Sequence, residues 1–114
     1  MALVLKQQDS YSWPIKVKLP EDGKYKQFSF EVTFKMVPTS RFMEMVELSE
    51  KGEINDVDIV REVVLGWAGI LDDKGEEMPF VKKKFEELLE VFGVPQAISQ
   101  AFVDSQTGGA KRKN

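Results

Sequence analysis

Gln27-Phe28-Ser29-Phe30-Glu31-Val32-Thr33-Phe34-Lys35-Met36 decides the fold class. Apolar side chains stand at every even position and polar ones at every odd position. A period of two is that of a strand with one face in a core and one in water. Trp13-Pro14-Ile15-Lys16-Val17-Lys18-Leu19 repeats the pattern upstream, with the apolar residues at odd positions. Pro14 lacks an N–H and suits an edge strand or a strand start. Pro20-Glu21-Asp22-Gly23-Lys24 lies between the two and has turn chemistry, since Pro fixes φ and Gly admits a left-handed residue.

The two stretches therefore form a β-hairpin, and parity constrains its register. For both apolar sets to share one face, directly opposed residues must have numbers with an odd sum. A slip by one residue would turn Phe28, Phe30 and Phe34 into water. A two-stranded hairpin is marginal alone, so its apolar face needs a cover. Ala2–Leu5 offers a third strand, and the downstream helices offer the cover.

Four helices are expected. Residues 39–51 form the first, capped by Thr39 or Ser40 after Pro38 and ended by Gly52. At 100° per residue its apolar Phe42, Met43, Met45, Val46 and Leu48 spread over about 220°, wider than an ordinary buried stripe. Residues 55–67 form the second, with Asn55 as N-cap, Asp56 and Asp58 favouring the dipole, and Val60, Val63, Val64 and Trp67 as a buried face. A loop over residues 69–80 turns at Asp72–Gly75. Residues 81–92 form the third helix, with Phe85, Leu88, Leu89 and Phe92 inward and Gly93 at C′. Pro95 opens the fourth, which runs to about Gln106 with Ile98, Ala101 and Phe102 as its apolar face.

The fold class is thus α+β: an antiparallel hairpin or small sheet packed against about four helices. One compact domain spans residues 1–107, β-rich through residue 37 and helical over 38–107. Residues 108–114 form a flexible basic tail.

The chain has 114 residues with no Cys and no His. Disulfides, thiolate nucleophiles and the commonest general base and metal ligand are therefore missing. Catalysis would have to run on carboxylates, Lys or Tyr, so a protein that is not an enzyme and has no cofactor is expected. The formal charge of −3 is uneven: residues 1–37 carry +2, residues 38–110 carry −8 and Lys111-Arg112-Lys113-Asn114 carries +3. An acidic helical body repels a phosphate backbone, which argues against nucleic acid as a partner. Ala2-Leu3-Val4-Leu5 is too short for a signal-peptide core, and no apolar run approaches a membrane span. The expectation is a soluble intracellular protein that does not engage a membrane.

Asp72-Asp73-Lys74-Gly75-Glu76-Glu77 lacks the ligand spacing of a calcium loop and reads as a solvated turn. Glu86, Glu87 and Glu90 read as a solvated helix face. Lys82, Lys83 and Lys84 stand where the helix dipole disfavours cations. They either solvate the helix start or form a basic patch for an acidic partner or subunit. Met43 and Met45, with Phe42, are either core or part of an adaptable surface that grips an amphipathic helix or a neighbouring subunit. Trp67 reads as core.

From the second helix onward an ordered set of motifs stands out. Val64-Leu65-Gly66-Trp67-Ala68-Gly69-Ile70 is followed by Asp72-Asp73-Lys74-Gly75 and Met78-Pro79-Phe80. A Phe/Leu-rich helix, Val94-Pro95-Gln96-Ala97-Ile98, Ala101-Phe102 and Gly109-Ala110-Lys111-Arg112-Lys113-Asn114 come after. Over residues 60–114 this set resembles the tail assembly chaperones of long-tailed bacteriophages and prophages, while residues 1–59 match them in character only. The resemblance departs at Val81, where the family often has a capping Ser.

The resemblance implies a chaperone that binds the tape measure protein, keeps it soluble and recruits tail tube protein, with self-association and many weak contacts supplying avidity. It implies action in the host bacterial cytoplasm and absence from the mature virion. It also implies a longer product made by ribosomal frameshifting. Arg112, Lys113 and Asn114 can be encoded as NNA AAA AAC, which contains a slippery A AAA AAC run. The alternative of another class is a structural minor tail or tail-completion protein that stays in the particle.

Overall fold

The computed structural model describes Leu3 and residues 9–108. It has the α+β architecture expected: among the described residues, a three-stranded antiparallel sheet and four helices. Strands β1 (Ser10–Glu21) and β2 (Lys24–Lys35) form the hairpin. Ile15 faces Phe30 and Val17 faces Phe28, so opposed residue numbers sum to an odd value along the whole ladder. The turn is tighter than Pro20–Lys24: Glu21 pairs with Lys24, leaving Asp22-Gly23 as the loop. Both loop residues have positive φ, 49° and 82°. That is the type I′ geometry whose twist matches the strands, and Asp-Gly is among its preferred pairs. Among the described residues β1 is an edge strand, which tolerates Pro14 and Pro20.

The apolar face of the hairpin is buried farther toward the turn along β1 than along β2. Ile15, Val17, Val32 and Phe34 are in the core, Trp13, Leu19 and Phe30 are half-buried, and Phe28 is exposed. The expectation that the apolar face of the second strand is covered fails at Phe28, toward the turn.

Helix α1 (Thr39–Glu50) begins one residue earlier than a Thr39 or Ser40 cap requires. Pro38 holds the N-cap position, with no side-chain cap bond. Gly52 follows the C-cap in the left-handed region, as a helix stop should. Helix α2 (Asp56–Val63) has the expected Asn55 cap, in a full capping box: Asn55 accepts the Asp58 N–H at 2.9 Å, and Asp58 accepts the Asn55 N–H at 3.0 Å.

The second helix is shorter than its spacing implied. Val64–Ala68 is not its last turn but strand β3, paired to the far side of β2 through Val32↔Trp67 and Thr33↔Gly66. Without β3, β2 would expose a second edge, and a Val/Trp-rich segment with a central Gly gains more there than in a helix. Residues 38–107 are thus not wholly helical.

Helix α3 (Lys82–Leu89) also ends early, at an αR cap on Glu90. Phe92 therefore falls in the following turn and is 89% exposed instead of buried. Gly93, expected at C′ of this helix, is the left-handed N-cap (φ 93°) of helix α4 (Val94–Thr107), where Pro95 occupies the first turn. Phe85 and Leu89 are buried, as are Ile98 and Phe102 on α4.

α4 crosses the sheet at β1 and is flanked by α2 and α3. Phe102 meets Phe34 edge-on at 5.3 Å and Phe42 at 6.0 Å. The fully buried rings of Phe34 and Phe102 each contribute roughly 1.5–3 kcal/mol by area. Tyr11 ties the strand to the end of α4: its hydroxyl lies 2.6 Å from Ser105 Oγ and accepts from Gln106 Nε2 at 3.0 Å. A strand at Ala2–Leu5 and the tail at residues 109–114 lie outside the described residues, apart from Leu3, which has no regular structure.

Candidate functional site

The conspicuous sequence motif turns out to be a staple. Trp67, at the inner edge of β3, donates its indole N–H to the Met78 carbonyl at 2.8 Å and packs edge-on against Phe80 at 4.9 Å. Phe80 in turn touches Phe85 of α3 at 5.2 Å. The turn between them is closed by Asp72, whose carboxylate accepts the N–H groups of Lys74 and Glu76, both at 2.9 Å. Gly75 has φ of 80° and donates to the Asp72 carbonyl. Gly69 has φ of 87°, and a Cβ there would touch Phe30 at 3.5 Å. Trp67, Gly69, Asp72, Gly75 and Phe80 thus have structural tasks, and the Asp72 carboxylate is spent on backbone rather than presented to a metal. Among the described residues no cluster of acidic side chains is arranged to hold one.

The residues with unspent contact capacity lie elsewhere. A groove of about 350 Å³ runs between α1, the start of α2 and α4. Its floor is Phe42, Met45, Ile59 and Phe102; its rim includes Val46, Glu50, Asp56, Gln96, Gln100 and Val103. The wide apolar arc of α1 produces it. Met45 points into the core at 2% exposure, Phe42 is half-buried against Phe102, and Met43 is 57% exposed on the outer side. The three candidates are therefore split: Met45 is core and groove floor, Phe42 is floor, and Met43 belongs to an adjoining acidic surface with Glu44, Val46 and Glu47.

Two bidentate ion pairs hold the frame. Arg41 on α1 grips Glu62 on α2 at 2.8 and 2.6 Å, and Arg61 on α2 grips Glu86 on α3 at 3.0 and 2.6 Å. The Arg41 bonds hold the Glu62 carboxyl below the usual carboxylate range, and the Arg61 bonds do the same to Glu86. Glu86 is thus part of a structural pair as well as a solvated face.

Lys82, Lys83 and Lys84 occupy the first turn of α3, whose N-cap Val81 makes no side-chain cap bond. Lys84 reaches Glu87 at 3.6 Å. The lysines lie on a different helix from the groove and do not line it. Arg112, Lys113 and Asn114 lie outside the described residues.

Two surfaces escaped the sequence reading. α4 supplies one wall of the groove, including Gln96, Gln100 and Val103, which show no pattern of their own. The hairpin's outer half exposes Tyr25 (73%) and Phe28 (41%), which only the extent of the helical layer reveals.

No protein-family model, curated protein or solved structure matches the chain. Among the described residues no helix is long and apolar enough to cross a membrane.

Proposed function

We propose that the protein is a phage tail assembly chaperone that binds the tape measure protein through the α1–α4 groove, keeps it soluble and assists tail tube assembly. The observation that carries this reading is the groove itself: an apolar floor containing Met45 and Phe42, with a polar rim. Such a surface suits the apolar face of an amphipathic helix, taken up through anchors three, four and seven residues apart. Met43, 57% exposed beside the groove, adds a polarizable thioether that adapts to varied side chains, as a long client without one fixed sequence requires. The ordered motif set from Val64 to Asn114 supports the family, and the negative helical body suits a protein partner better than nucleic acid.

On this reading the protein acts without catalysis or cofactor in the host cytoplasm and leaves before the particle is finished. Abundant peptides of this chain in purified virions would favour a structural tail component instead. A longer product made by slippage over the codons of Arg112, Lys113 and Asn114 belongs to the same proposal; an AAG codon for Lys113 excludes that slip. The direct test is co-expression with the adjacent long helical gene product, the client on this reading. The client is expected to move from the pellet to the soluble fraction. An unchanged distribution contradicts the function.

A further inference from the structure

The two open edges of the hairpin are not equivalent. Its turn closes on the pair Glu21–Lys24, and the ladder runs from there without a bulge. The N–H of Lys24 therefore points to β1, as do the backbone groups of Lys26 and Phe28, whereas those of Tyr25, Gln27 and Ser29 point away. On β1 the even residues point outward, and two of them, Pro14 and Pro20, have no N–H to offer. Prolines at outward donor positions keep further strands off an edge. The β2 edge has no such block. β3 stops at Ala68, opposite Glu31, and among the described residues no strand lies beside Lys24–Ser29. All six residues of this segment are exposed. The N–H and C=O groups of Tyr25, Gln27 and Ser29 thus form a template for one more strand.

The side chains along this edge select the strand. Lys24, Lys26 and Phe28 share one face, and Tyr25, Gln27 and Ser29 share the other. Neither Lys24 nor Lys26 is ion-paired among the described residues, although Glu21 stands opposite Lys24. Lys26 lies over the Phe28 ring at 5.6 Å, which sets a cation beside an exposed apolar surface. A second copy of this edge would bring its own lysines onto the same face, and like charges across a ladder oppose pairing. Carboxylates in those places reverse the sign. We propose that β2 accepts an extended acidic segment of another protein as an antiparallel strand beside Lys24–Ser29. Read from its N-terminus, the segment places an apolar residue opposite Phe28, an acidic one opposite Lys26 and a second acidic one opposite Lys24. Single residues between them lie on the other face.

In such strand addition the main-chain bonds supply affinity and the alternate side chains supply the choice of partner. The antiparallel direction continues that of the sheet and is the more stable per residue. Guest residues opposite Tyr25, Gln27 and Ser29 turn their N–H groups to β2, and the acidic residues turn theirs to solvent. The lysines are exposed, so the charge contribution weakens with added salt. None of these residues lines the α1–α4 groove, so the inference does not rest on the proposed function.

The probe is the peptide acetyl-Thr-Val-Thr-Glu-Thr-Glu-Thr-amide, titrated into the isotope-labelled full chain up to about 2 mM, where weak complexes populate. Nuclear magnetic resonance should show saturable amide shifts centred on Lys24–Ser29, slowed hydrogen exchange at Tyr25, Gln27 and Ser29, and weaker binding in high salt. Methylating the nitrogen of the Thr opposite Gln27 should weaken binding about tenfold or more, because that N–H bonds β2. Methylating the nitrogen of the Glu opposite Lys26, which faces solvent, should leave binding within about twofold. Lys24→Glu/Lys26→Glu, with its fold verified by circular dichroism, should lose the acidic peptide about tenfold or more and prefer the peptide with Lys in place of both Glu. The absence of saturable shifts overturns the inference, as do shifts centred on another surface or equal losses from the two methylations. A folded Lys24→Glu/Lys26→Glu variant that still prefers the acidic peptide also overturns it. None of these outcomes involves the client, so the chaperone reading is tested separately by client solubility.

Discussion

The indole N–H of Trp67 donates to the carbonyl of Met78 at 2.8 Å, across the turn that joins β3 to α3. This bond, with the Trp67–Phe80–Phe85 ring cluster, fixes the connection by which the chain leaves the sheet and enters the helical layer. Trp67→Phe keeps an aromatic ring but leaves the Met78 carbonyl without its donor. A loss of roughly 1–3 kcal/mol is expected in urea or thermal unfolding. A melting curve that overlays the parent's would mean that the bond is not part of the staple.

Met43 and Met45 separate core from surface two residues apart. Met45→Ala empties a fully buried site and is expected to cost about 2–5 kcal/mol. Met43→Ala, on the exposed side, should stay within about 0.5 kcal/mol of the parent. Equal losses at the two positions would show that α1 is rotated relative to the arrangement described.

The capping box makes Asn55 the better-defined helix start. Asn55→Ala should cost about 1 kcal/mol. Ser40→Ala should cost less, because Ser40 lies inside the first turn of α1 and caps nothing. The reverse order would contradict the assigned caps.

The Arg41–Glu62 pair has a pH signature. The Glu62 carboxyl is held below its ordinary value by hydrogen bonds from Arg41. A depressed carboxylate stabilises the fold fully above its unfolded pKa, and the benefit is lost as pH falls through the folded value. The melting-temperature gap between the parent and Glu62→Gln should be complete at neutral pH and close below the usual carboxylate range. Partial exposure keeps the gap small. A gap that is constant down to acid would mean that the substitution acts through packing alone.

The sequence pattern disclosed the hairpin and the parity of its register because period-two alternation in Phe28–Met36 must keep one face buried, and it located the turn without its two-residue loop. It did not disclose β3. Val60, Val63, Val64 and Trp67 have the spacing of a helix face, and what overrides that spacing is the open edge of β2, a tertiary partner. The same limit explains Phe92, which continues the period of α3 although the helix has already stopped at Leu89. At the groove, Phe42, Met43 and Met45 were recognisable as an apolar arc too wide for one contact. Their division into floor and outer surface depends on the rotation of α1, which Arg41–Glu62 and Phe42–Phe102 fix across elements.

The central claim is that the α1–α4 groove takes a helix of the tape measure protein. Val46→Glu/Val103→Glu places two carboxylates on half-buried rim positions without entering the core, and its fold can be verified by thermal melting. The most direct measurement is the soluble fraction of the tape measure protein co-expressed with the parent, with this variant, or with Lys24→Glu/Lys26→Glu, which leaves the groove intact. The account predicts soluble client with the parent and the Lys24→Glu/Lys26→Glu variant, and insoluble client with the folded groove variant. Client that is equally soluble with the groove variant would contradict it.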